Sequence, residues 1–289
     1  MKVLVLFIAM VCAIACTTTE TILDFNLVEG SINKLDSAYV IFQEQAYRFP
    51  LDAQGKGTLK MNIKEDGFAI LVYGKLSTNI YLKQGNTLKV IWDKEDWRGG
   101  KMQVVSDDGG INEYIRLNIE KSFKKATECS FTLEEDSFMD KVEQTIRELS
   151  AGIDSTNFAP EIKDILKASS KYEVLYWIYK YPRFHNFGKR MSQEEYLAFK
   201  RFNEYMFDKF EAHPEYLCLT AYREYAVNWF YELMQLRCFG EPYILKKEKA
   251  CQYILEHVKN AELREYALAE TITPYIKSYG IEGAENIIE

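Results

Sequence analysis

The chain has 289 residues, 47% of them hydrophobic and 27% charged, and a net charge of −7 at neutral pH. That size and hydrophobic share allow a large buried core and fit one or two globular domains. The acidic balance argues against nucleic acid, whose phosphates need clustered Lys and Arg, and against electrostatic docking to anionic lipid.

The first segment has the pattern of an export signal. Lys2 gives a positive start, residues 3–11 are apolar without a break, and Ala13-Ile14-Ala15 puts small residues three and one positions before Cys16. The apolar run is too short to cross a bilayer, which takes about 20 residues. A cysteine directly after the small residues is the bacterial lipoprotein arrangement, in which the thiol receives a diacylglycerol. Several acyl chains, at about 0.8 kcal/mol per buried CH2, hold where one would not. Residues 1–15 are therefore expected to be a lipoprotein signal peptide, Cys16 the lipid anchor and residues 16–21 a polar tether. The expected location is the periplasm-facing cell envelope, the outer membrane ahead of the inner. An ordinary secretory signal with an incidental Cys16 is the alternative.

Residues 22–110 read as a β domain. Leu23, Phe25 and Leu27 alternate with polar residues, as do Tyr47, Phe49 and Leu51, then Leu59, Met61 and Ile63, then Leu88, Val90 and Trp92. Residues 39–42, 80–82 and 102–105 are further short runs, and residues 68–73 are continuously apolar, as for a strand covered on both faces. Turns rich in Gly, Asp and Asn separate them. This spacing predicts an antiparallel β-sandwich or open barrel.

The period changes after Asp107-Asp108-Gly109-Gly110, a turn expected to supply an N-cap from Asn112 or a nearby Asp. Residues 111–289 read as an irregular, all-helical region, so the fold class is α+β. Helices are expected near 112–127, 133–150, 160–181, 193–212, 214–238, 242–258 and 261–279. Thr132-Leu133-Glu134-Glu135 and Ser192-Gln193-Glu194-Glu195 each fit a capping box. Pro160 suits a first helical turn, and Gly152, Gly240 and Gly280 sit where helices should stop.

No catalytic residue emerges from the pattern. His185, His213 and His257 lack metal-ligand spacing, and neither a Gly-x-Ser-x-Gly elbow nor a phosphate loop occurs. No metal or cofactor is assigned. Cys129, Cys218, Cys238 and Cys251 could pair in an exported protein, but their surroundings resemble helix cores, which favours free buried thiols. Arg98-Gly99-Gly100-Lys101 reads as a solvated turn. Two aromatic clusters stand out. One runs from Tyr172 to Phe184, the other from Tyr222 through Trp229 to Tyr231. An aromatic stripe at helical spacing is first of all core. A ligand surface is the second reading, for which Trp177, Tyr181, Arg183, His185 and Trp229 are the candidates. Within it, Tyr181-Pro182-Arg183-Phe184-His185-Asn186 is expected to be a loop.

Four stretches carry a family resemblance: Leu27-Val28-Glu29-Gly30-Ser31-Ile32, Tyr39-Val40-Ile41-Phe42, Ile80-Tyr81-Leu82-Lys83-Gln84-Gly85-Asn86-Thr87-Leu88 and Gly110-Ile111-Asn112-Glu113-Tyr114. With the lipoprotein signal, they resemble the front, pre-thioredoxin portion of TlpA-like thiol–disulfide oxidoreductase lipoproteins of the Bacteroidetes, over roughly residues 16–289. In that family a thioredoxin domain with a Cys-x-x-Cys follows, and its lowered thiol pKa does the redox chemistry. No Cys-x-x-Cys occurs here, so the dithiol is carried over to no residue. The expectation is an envelope lipoprotein that acts as a non-catalytic binding or spacer module, with a protein or peptide partner, no cofactor and no nucleic acid. The alternatives are a fragment of a thiol–disulfide oxidoreductase and a glycan- or peptide-binding lipoprotein.

Overall fold

A computed structural model of the chain describes residues 20–28, 35–93, 102–185, 192–208, 210 and 212–280. The expected signal peptide, Cys16, most of the tether, the Arg98–Lys101 turn and Asn186 lie outside the described residues.

Residues 21–105 form strands β1 (Thr21–Val28), β2 (Ser37–Phe42), β3 (Gln45–Pro50), β4 (Lys56–Met61), β5 (Gly67–Tyr73), β6 (Leu76–Leu82), β7 (Thr87–Asp93) and β8 (Gln103–Val105). They build two four-stranded sheets, ordered β4-β1-β7-β8 and β3-β2-β5-β6. The period-2 pattern dictates the layering, because alternate side chains of a strand point to opposite faces. Leu23, Phe25 and Leu27 face inward from β1. Both inner faces feed one core, Val90 and Trp92 from the first sheet and Val40, Phe49, Leu71 and Ile80 from the second. The Phe25 ring lies 6.0 Å from Phe49 and 6.3 Å from Tyr73 in the opposite sheet, and 6.4 Å from Trp92 in its own. The arrangement is sandwich-like and not a closed barrel. Among the described residues, five of the six strand pairings are antiparallel. The sixth, β1 with β7, is parallel.

Gly57 is required where β4 begins, since a Cβ there would collide with the Pro50 carbonyl oxygen. Gln43 and Glu44, the two residues between β2 and β3, both take positive φ (48° and 63°). That is the backbone a two-residue hairpin demands, although Asn-Gly is its usual sequence.

The turn before the first helix, α1 (Ile111–Thr127), works as expected through Asp108. Its Oδ1 accepts from the N–H groups of Gly110 (2.9 Å) and Ile111 (3.0 Å), and its Oδ2 from that of Asn112 (3.2 Å). The Asn112 side chain turns to β6. Its Oδ1 accepts from Tyr81 N–H at 2.8 Å and its Nδ2 donates to Tyr81 O at 2.7 Å. Those are the two bonds a neighbouring strand would make.

The chain divides into two compact units between Leu117 and Asn118, within α1. The second unit continues with α2 (Glu135–Asp154), α3 (Pro160–Leu175), α4 (Tyr181–His185), α5 (Gln193–Leu197), α6 (Lys200–Asp208), α7 (Thr220–Arg237), α8 (Tyr243–His257) and α9 (Ala261–Tyr279). Single 3-10 turns lie at Ile178–Lys180 and Pro214–Tyr216. Helix α3 packs against both α2 and α7, and α7, α8 and α9 pack on one another. Among the described residues, no helix is long and apolar enough to cross a membrane.

Several expected boundaries change. The capping box at Ser192 and Glu195 forms, with bonds of 2.7 and 3.2 Å. The one at Thr132 does not. The α2 N-cap is Glu134, and the Glu135 carboxylate instead accepts from Phe202 N–H at 2.8 Å. Gly152 lies inside α2, not at its end. The expected helix over 160–181 stops at Leu175, and the segment expected to be a loop is the short helix α4, followed by residues outside the described set. The helix expected over 193–212 breaks after Leu197, where Asn203 Nδ2 donates to Leu197 O at 3.1 Å. Pro160 opens α3, and Gly280 ends α9 with φ 79°.

Candidate functional site

Four of the five candidate surface residues come together, though mostly as packing. Tyr181 is fully buried. Its ring stacks on Phe138 at 4.2 Å and its hydroxyl donates to Leu133 O at 2.8 Å. Trp177, half-buried, stacks on Phe131 at 5.5 Å and has Lys180 Nζ 4.8 Å above its ring. His185 Nδ1 sits 2.8 Å from Phe131 O. Arg183 is 57% exposed at its side chain and bonds Glu232 Oε1 at 3.1 Å. Trp229 stands apart from this group. It is 2% exposed and packs on Phe210 and Phe230, at 4.6 and 5.2 Å. A sugar platform needs exposed flat rings, and Tyr181 and Trp229 do not supply them.

Glu232 sequence reasoning did not find, because a lone acid in an aromatic helix carries no pattern. It is 4% exposed, and Tyr196 donates to its other oxygen at 3.1 Å. Burial pushes its carboxyl above the ordinary range, against the opposing pull of the Arg183 guanidinium. The Arg183–Glu232–Tyr196 set is satisfied within itself, which marks it as a structural tie between α4, α5 and α7 and not as a reacting centre.

A second cluster has an opening. Tyr172 on α3 and Tyr225 on α7 were legible as members of the aromatic stripes. Tyr205 on α6 was not. The Tyr172 ring lies 4.7 Å from Tyr222 and 4.8 Å from Tyr225. Tyr205 donates to the Tyr225 hydroxyl at 3.0 Å. The Tyr179 hydroxyl is buried facing the same two, without completing a well-formed hydrogen bond. Burial pushes the Tyr179 and Tyr205 hydroxyls far above the ordinary phenol value, so both stay neutral. Beside them lies a cavity of about 220 Å³ lined by Met139, Val142, Glu143, Ile146, Lys171, Tyr172, Leu175, Ile178, Tyr205 and Tyr225. A second cavity of about 340 Å³ shares Ile146, Lys171 and Tyr172 with the first and adds Ser150, Asp164, Lys167, His213 and Tyr216 among its walls. The two make one groove along α3, apolar and aromatic at one end and polar at the other.

The remaining chemistry-bearing groups are quiet. Cys129, Cys238 and Cys251 are buried, Cys218 is half-buried, and none of the four is in a disulfide. Burial pushes the thiols of Cys218 and Cys251 up to about 11, and raises that of Cys129 as well. Among the described residues, no group of three or more His, Cys, Asp or Glu could hold a metal ion. The chain matches no protein-family model, no curated protein and no solved structure.

Proposed function

We propose that this chain is an envelope lipoprotein, anchored through Cys16, whose helical unit binds a protein or peptide partner in the tyrosine-lined groove and performs no chemistry of its own. On this reading it is a binding module related to the front portion of TlpA-like lipoproteins. The observation that carries it is the groove: two adjoining cavities that share walls on α2 and α3, lined by Tyr rings that offer an apolar body with hydrogen-bonding tips. The thiols support the same reading from the other side. Redox cysteines work as accessible thiolates with lowered pKa, whereas burial raises those of Cys129, Cys218 and Cys251.

The test uses the full chain in a bacterial host fed a labelled fatty acid. Label and membrane fractionation are expected in the wild type and lost in Cys16→Ser. The purified chain should leave the rate of insulin reduction by dithiothreitol at its blank value. Insulin turnover that disappears on replacing any one of the four remaining cysteines by Ser would overturn the non-catalytic reading. An unlabelled wild type would overturn the anchor.

A further inference from the structure

We infer that the groove captures the C-terminal residue of a peptide, with the apolar last side chain in the smaller cavity, the terminal carboxylate on Lys171 and the preceding backbone in the larger cavity. The inference rests on the reading of the groove as a binding site and names what it binds.

Size comes first. Sites for drug-sized molecules run from about 300 Å³ upward, and the smaller cavity is about 220 Å³. It suits a single apolar side chain. Its wall is made by Met139, Val142, Ile146, Leu175 and Ile178, with the faces of Tyr172, Tyr205 and Tyr225. Glu143 and Lys171 are the charged residues of that wall, so most of the surface offered to a side chain is apolar.

Charge decides which end of the chain arrives. Lys171 lines both cavities, which adjoin there. Its Nζ lies 5.4 Å from the Tyr172 ring centroid, and it has no carboxylate partner among the described residues. Two of the neighbouring charges are engaged, and Asp164 is the acid of the larger cavity. Lys167 is held by Asp154. Glu143, the acid of the smaller cavity, lies 3.7 Å from Arg147 and 3.5 Å from Arg201. Among the described residues that line the cavities, the cation without an ion pair is thus Lys171, and the group it attracts is an anion. An apolar side chain and a carboxylate on the same residue describe the end of a polypeptide.

The larger cavity says what precedes that residue. Ser150, Asp164, His213 and Tyr216 line it with donors and acceptors. A peptide backbone, with an N–H and a C=O at every residue, can use such a wall. A free apolar acid would leave it to water. This favours a chain terminus over a small molecule.

The experiment is a fluorescence anisotropy titration of the full chain with an N-terminally labelled pentapeptide ending in leucine, as the free acid and as the C-terminal amide. N-acetyl-leucine is the unlabelled competitor. The acid is expected to bind about tenfold or more tightly than the amide, as fits one charge-assisted contact. Lys171→Met should weaken the acid by the same factor and leave the amide unchanged. Ile146→Trp, which fills the wall shared by the cavities, should abolish both, with far-UV circular dichroism confirming that each variant folds. Equal binding of acid and amide, both lost in Ile146→Trp, overturns the carboxylate inference and leaves the groove reading standing. Binding indifferent to Ile146→Trp overturns the groove reading itself. N-acetyl-leucine competing as well as the unlabelled peptide overturns the peptide terminus in favour of a small acid. No binding by either peptide overturns the inference outright.

Discussion

The sandwich and the helical unit treat polar groups differently. In the sandwich, the strands exchange backbone hydrogen bonds and bury the polar side chains Thr21, Ser37, Thr78 and Asn79 beside an apolar core that runs from Leu23 to Trp92. The helical unit buries Glu232, Lys247 and many Tyr hydroxyls with its aliphatic groups. Among the described residues, the buried side-chain polar atoms that lack a hydrogen bond all belong to it, the indole N–H groups of Trp177 and Trp229 among them. Each such group costs about 1–3 kcal/mol. The sandwich is built as a scaffold would be. The helical unit tolerates imperfect satisfaction of its buried polar groups.

Three measurements test that contrast. Trp92→Ala should cost the sandwich about 3–5 kcal/mol in a urea titration, because a fully buried indole leaves a cavity that two facing sheets cannot close. A loss under 1 kcal/mol would mean the core is looser than its packing implies. Asn112→Ala should cost about 1–3 kcal/mol, since it strips the backbone N–H and C=O of Tyr81 of their partners. Asn112→Asp keeps only the acceptor, so it should recover part of the loss at most. The smallest effect belongs to the helical unit. Burial raises the Glu232 carboxyl, so the folded state keeps that proton to a higher pH than the unfolded chain. Its ionisation therefore lowers stability as pH rises from the ordinary carboxylate value through the raised one. Glu232→Gln should melt with the wild type below pH 4 and about 2 °C above it at pH 7. A gap of the opposite sign at pH 7 would make the Arg183 pair a net stabiliser.

How far the sequence could be read follows from the same contrast. In the sandwich, local alternation and global burial coincide, so Leu23, Phe25 and Leu27 announce both strand and face. The parallel pairing of β1 with β7 was hidden, because a strand's own residues look the same whichever way its neighbour runs. In the helical unit, tertiary contacts override local signals. Glu135 could have closed a capping box with Thr132, but it bonds Phe202 N–H, sixty-seven residues on. The break after Leu197 depends on the Asn203 side chain bonding the carbonyls at the end of α5. The groove was half legible. Tyr172 and Tyr225 lie in the aromatic stripes, whereas Tyr205 and Lys171 join it only through the packing of α2, α3, α6 and α7.

The Asn112 amide has a consequence for how copies of this protein meet. A sheet edge is a template on which another chain can build. The short β8 has only three residues to offer, and β3 carries an exposed Arg48 and Pro50, which blunt its edge. At β6 the Asn112 side chain takes up the N–H and C=O of Tyr81, where a next strand would bond. Replacing Asn112 by Ala would leave those two groups open to another chain, and is expected to register as self-association at high concentration, measured by light scattering, before it registers as unfolding.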